Sequence, residues 1–159
     1  MASPTMSYLI CSMALIVLIL VLPAFFETQR NSIADEMMRR ELTEIADYTS
    51  NTLSNLLFLA ESSQSSDVSL TKELLYLPLT VGDSFYVLSI SNGGDSPKVV
   101  ASIMDRLWIS GQSWIAPGLE IDPDISLDIN SYKLNSTVAL ANCYGDSGNL
   151  YVSLAYGEK

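Results

Sequence analysis

The chain has 159 residues, 18 acidic against 8 basic, a formal net charge of −10 and no histidine. That balance argues against a nucleic-acid-binding surface, whose phosphate contacts need clustered Lys and Arg, and the missing histidine removes the commonest general base and metal ligand. The length allows one modest domain plus an appendage.

Tyr8 to Phe26 is a run of 19 residues without a charged side chain. As a helix it spans about 28 Å, close to the thickness of a hydrocarbon core. Three readings compete. A cleaved secretory signal needs a basic leading segment and a small-residue cleavage site; no Lys or Arg precedes Tyr8, and Phe25-Phe26-Glu27 is a poor site. A buried core helix needs more surrounding chain than remains. A retained membrane or filament-core helix fits both length and composition, carried by Tyr8, Leu9, Ile10, Leu15, Ile16, Val17, Leu18, Ile19, Leu20, Val21, Leu22, Phe25 and Phe26. Pro23 removes one backbone hydrogen bond late in the run, which membrane helices tolerate. Arg30, Arg39 and Arg40 follow the run and by the positive-inside tendency favour a cytoplasmic C-terminal part. Long domains translocate largely regardless of charge, so the orientation stays open.

From Asn31 to Ala60 there is neither Pro nor Gly. Ile33, Met37, Met38, Leu42, Ile45, Ala46, Leu53, Leu56, Leu57 and Ala60 recur mostly at spacings of three and four, the pattern of a helix with one buried stripe. Asp35, Glu36, Arg39, Arg40, Glu41, Glu44 and Asp47 fill the opposite face. The stripe is expected to pack on the chain's own C-terminal part, on neighbouring copies, or on both.

Residues 61–70 are polar and serine-rich and read as a linker. Beyond them the period changes to two. Ser84 to Ser91 reads as a strand entering a turn at Asn92-Gly93-Gly94-Asp95, with Lys98 to Met104 returning. Leu107–Ser110 and Ser113–Ile115 read as a strand pair around Gly111, Ile125 to Asn130 alternates, and Ser136 to Tyr144 is a further strand. Gly145 to Gly148 reads as a turn, and Leu150 to Tyr156 as the last strand. Six or seven short strands at this spacing indicate a small antiparallel sandwich-like head. The expected fold class is therefore α+β: a long N-terminal helix over 1–60, apolar at 8–26 and amphipathic at 31–60, the linker at 61–70, and a β-rich globular head at 71–159.

Residues able to carry chemistry are sparse. Gly145-Asp146-Ser147-Gly148 matches the surroundings of a protease serine, but no histidine exists to take the serine proton. Glu120, Asp122, Asp124 and Asp128 surround Pro123 without the glycine and terminal glutamate of a calcium loop, and read as a solvated acidic stretch. Phosphate loops, zinc spacings and dinucleotide fingerprints are absent. Asn135-Ser136-Thr137 is a glycosylation sequon, relevant if the head lies outside the cell. Cys11 and Cys143 are poorly placed to meet, so no disulfide within the chain is expected. Most aromatics, among them Tyr76, Phe85, Tyr86, Trp108 and Trp114, read as core and interface. No enzyme activity, cofactor or metal is expected.

An apolar helix running into an amphipathic half and then a small β-domain resembles the type IV pilin architecture. Ser3-Pro4-Thr5-Met6 ahead of the apolar run resembles the beginnings of archaeal pilins and archaellins. Leu77-Pro78-Leu79-Thr80-Val81-Gly82 followed by Phe85-Tyr86-Val87-Leu88 resembles a stretch before a strand in archaeal pilin-like proteins. Met1 stands where such precursors carry a basic residue, and the glutamate that bacterial pilins carry near their mature start is missing. The resemblance implies a structural subunit of an extracellular helical filament, with processing at Ala2-Ser3. Its partners would be copies of itself, the membrane, an assembly ATPase and platform proteins, and no nucleic acid. It would sit in a cell-surface filament, with a membrane-anchored pool of precursor. The alternative is a single-pass membrane-anchored accessory or stator protein with a β-sandwich binding head.

Overall fold

The computed structural model describes residues 4–63, 68–92, 97–117, 119–121, 128–146 and 149–158. Helix α1, Pro4–Ser62, is followed by β1 (Ser69–Glu73), β2 (Tyr86–Asn92), β3 (Pro97–Ile103), β4 (Ser110–Trp114), β5 (Leu119–Ile121) and β6 (Ile129–Asn130). A 3-10 helix at Ser131–Asn135 leads into β7 (Thr137–Asp146) and β8 (Asn149–Glu158). The internal contacts fall into two units, Met1–Glu36 and Met37–Lys159. The arrangement is α+β: one long apolar N-terminal helix, then two β-sheets.

The described part of the first unit is helical throughout, and the helix continues through Pro23. Proline lacks the N–H that would reach the carbonyl four residues back, so the bond to Ile19 is lost there. Thr28 donates its hydroxyl to the Ala24 carbonyl at 2.9 Å, one turn further on.

The second unit, the head, opens with the rest of α1. Met38, Leu42, Ile45, Ala46, Leu53, Leu56, Leu57 and Ala60 are buried there, joined by Thr49, Ser50 and Thr52. Ile33 and Met37, expected in the same stripe, are exposed. The buried threonines return their hydroxyls to carbonyls one turn back, Thr49 to Ile45 at 3.0 Å and Thr52 to Tyr48 at 2.9 Å. That satisfies each hydroxyl inside the packed face.

Two four-stranded sheets complete the head, in the orders β1-β7-β8-β5 and β4-β3-β2-β6. The second is antiparallel throughout its described pairs. The first is mixed, because β5 pairs parallel to β8 through Leu119–Leu150, Glu120–Tyr151 and Ile121–Val152; this corrects the antiparallel expectation. β3 alternates buried and half-buried residues along its whole length, as a strand with one core face must. Tyr86, Leu88, Val99, Ala101 and Ile103 from one sheet, with Ala139, Ala141, Val152 and Leu154 from the other, form one core with the helix residues. The strand pair expected around Gly111 is instead the single strand β4. Of the turns expected at Asn92–Asp95 and Gly145–Gly148, Asn92 ends β2 and Gly145 and Asp146 end β7, while residues 93–95 and 147–148, with 125–127 of the alternating segment and Asp122 and Asp124, lie outside the described residues.

Gly111 shows why β4 was hard to read. A Cβ there would overlap the helix backbone at Thr43 and Leu42, so the strand passes directly against α1. Ile103 N–H donates to the Ile109 carbonyl, and Ile115 N–H donates to the Pro97 carbonyl, so both residues face β3. The alternate residues therefore turn their backbone groups outward. Three of these outward groups are bonded by helix side chains. Arg39 donates to the Trp108 carbonyl at 2.8 Å, Ser50 donates to the Trp114 carbonyl, and Ala116 N–H donates to Ser54 Oγ at 3.2 Å. Four helix residues advance about 6 Å and two strand residues about 7 Å, so Ser50 and Ser54 match Trp114 and Ala116 in spacing. The helix thus covers the β4 edge of its sheet.

Between β1 and β2 the chain makes a tight reversal. Val81 and Ser84 exchange backbone hydrogen bonds at 2.9 and 3.0 Å, and Gly82 and Asp83 between them have φ of 52° and 64°. Two adjacent positive φ angles are the signature of a type I′ turn. The turn presses on the helix: a Cβ on Gly82 would come within 2.7 Å of Met38 Cγ and Sδ. Tyr86 closes the loop by donating its hydroxyl to the Pro78 carbonyl at 2.8 Å.

Candidate assembly surface

The strongest functional feature is a surface without cover. Tyr8, Leu9, Ile10, Leu15 through Leu22, Phe25 and Phe26 are all exposed, as is Met13 between them. The eight consecutive apolar residues from Leu15 cover every direction around a helix of 3.6 residues per turn. A helix apolar all round is stable only inside a core or a membrane. An 18-residue window of this helix has a mean hydropathy of 2.9, with none of the window buried. It is long and apolar enough to cross a membrane.

The energetics point the same way. Burying one such side chain is worth roughly 1.5–3 kcal/mol, and soluble monomers rarely leave apolar patches larger than a few hundred Å² in water. Within the surface the Ser12 hydroxyl is turned back onto the Leu9 carbonyl at 3.0 Å. Cys11 and Cys143 are both free thiols, the first exposed on this surface and the second buried in the head.

The other expected sites disperse. Ala2 and Ser3 lie outside the described residues. Asn135 is exposed at the end of the 3-10 helix, where Thr137 of its sequon donates its hydroxyl to the Lys133 carbonyl at 2.8 Å. It borders a cavity of about 260 Å³ whose wall includes Leu74, Leu77 and Leu134. Glu120 and Asp128 are exposed. Among the described residues no three acidic, cysteine or histidine side chains are placed to share a metal ion.

Sequence reasoning missed a groove on the head. Glu41, Glu44, Ile45 and Tyr48 of α1 face Tyr76, Pro78 and Thr80 across about 500 Å³. The Tyr48 and Tyr76 rings meet edge to face at 5.9 Å. The aromatic content of each segment was visible in the sequence, but no local pattern links a helix residue to one in the β1–β2 connection. Comparison with protein-family models, curated proteins and solved structures finds no match.

Proposed function

We propose that this chain is a structural subunit of a cell-surface helical filament of the type IV pilin-like kind, polymerising through its apolar N-terminal helix. The observation that supports this reading is the uncovered apolar run at 8–26, joined to a small β-rich head. In this reading the run resides in the bilayer while the subunit waits and packs against like helices in the filament axis once assembled. Both environments remove the same side chains from water, so transfer between them costs little. Helix packing in the apolar core of the filament is the driving force, with an assembly ATPase and a membrane platform as partners. The head stays in water on the filament surface, and Asn135 is its glycan attachment point.

Cryo-EM of filaments sheared from source cells, with mass spectrometry of the subunit N-terminus, tests the proposal. Filaments built of this chain with residues 8–26 at the axis support it, and the N-terminal mass tells whether Ala2-Ser3 is cut. Filaments that lack the chain, with the chain intact in the membrane fraction as a small oligomer, overturn it in favour of a single-pass anchored accessory or stator protein.

A further inference from the structure

The groove on the head offers charge without a partner. Glu41 and Glu44 stand three residues apart on one face of the helix, as i, i+3 neighbours do, and both line the groove. Among the described residues neither carboxylate has an ion pair or a side-chain hydrogen bond. Tyr76 beside them is 80% exposed, which leaves a ring face open for a cation. Two carboxylates and an open ring favour a guanidinium over an ammonium, because its planar fork pairs with a carboxylate through two hydrogen bonds and stacks flat on an aromatic ring.

The chain carries the complementary group. Arg30 is exposed and, among the described residues, has no partner. It lies on α1 just beyond the apolar run, in the stretch that the filament reading sets beside neighbouring copies. Lys72 is likewise unpartnered, but it is an ammonium on a strand of the head.

We propose that Arg30 of one copy enters the groove formed by Glu41, Glu44 and Tyr76 of a neighbouring copy and fixes the stagger between them. The inference rests on the filament reading and adds to it a register. Apolar helices alone slide past one another at little cost, since lipid-like surfaces pack almost equally well at several offsets. A desolvated charge pair selects one offset, here roughly three to four helical turns, and disfavours the others.

The test uses full-length chain assembled into filaments. Arg30→Glu and the pair Glu41→Arg with Glu44→Arg are each expected to cut filament yield by about tenfold, and the three together to restore it. A Cys11→Ser chain carrying Arg30→Cys and Glu44→Cys is expected to give a ladder of disulfide-linked multimers on mild oxidation. Protection of the buried Cys143 thiol reports that each variant is folded. Wild-type filaments together with reversals that assemble normally, or with no ladder, overturn the Arg30 contact and leave the filament reading standing. Absence of filaments from the wild-type chain overturns both.

Discussion

Gly111 is the residue on which the helix–sheet junction turns. A methyl group there meets backbone atoms at Thr43 and Leu42, and backbone cannot rotate away as a side chain can. Gly111→Ala should therefore destabilise the head by about 3 kcal/mol, the upper range for overpacking. Urea titration followed by Cys143 labelling measures it, and an unchanged midpoint would contradict the close approach. Two buried groups make a prediction about pH. Burial raises the Cys143 thiol above its ordinary 9.0 and the Tyr86 hydroxyl above its ordinary 10.0. The folded state then keeps protons that the unfolded state releases. Stability is complete below about pH 9 and falls as the pH rises further, by up to ~1.4 kcal/mol per unit for each group. Unfolding midpoints between pH 7 and 11 check the sign, and Cys143→Ala should flatten the earlier part of the decline.

At the scale of elements, the decisive contact is α1 along β4. A sheet edge exposes unpaired backbone groups that invite another strand. Here Arg39, Ser50 and Ser54 occupy them. Replacing Ser50 and Ser54 together by Ala should cost about 2 kcal/mol, near 1 kcal/mol per lost hydrogen bond, and should raise concentration-dependent association of the head. Light scattering and denaturation of the double variant test this; full stability with no association would show that the serines do not protect the edge. These elements also show what a sequence reveals. β3 was legible because its core face alternates strictly, and β8 because Leu150, Val152, Leu154 and Tyr156 recur at every second position, although Ser153 between them is buried as well. β4 was not, because its sequence, Ser-Gly-Gln-Ser-Trp, reads as a turn until the helix lying over Gly111 is known. β1, Ser-Leu-Thr-Lys-Glu, is nearly all exposed and offers no hydrophobic period. β5 is three residues long and owes its existence to a partner some thirty residues away in the chain. Pairing of that kind is non-local, and so was the Tyr48–Tyr76 groove.

For the whole molecule the two ends of the physical scale are carried by different stretches. The apolar run was legible because an uncharged helix of membrane length needs no tertiary information to be recognised. The charge lies elsewhere: Glu27 is the first charged side chain. Removing residues 1–26 therefore leaves the net side-chain charge at −10 while deleting the whole uncovered surface from Tyr8 to Phe26. What remains keeps every residue of the head's buried core, and mutual repulsion between its copies acts at short range in physiological salt. The truncated chain should be soluble without detergent and elute as a monomer, with Cys143 still protected from labelling. Full-length chain should need detergent or lipid, or be found in filaments. The two chains differ in no charged side chain, so a contrast between them tests whether the apolar run drives the membrane residence and polymerisation proposed for it. A truncated chain that still forms filaments would place the driving contacts in the head and remove the run from the mechanism.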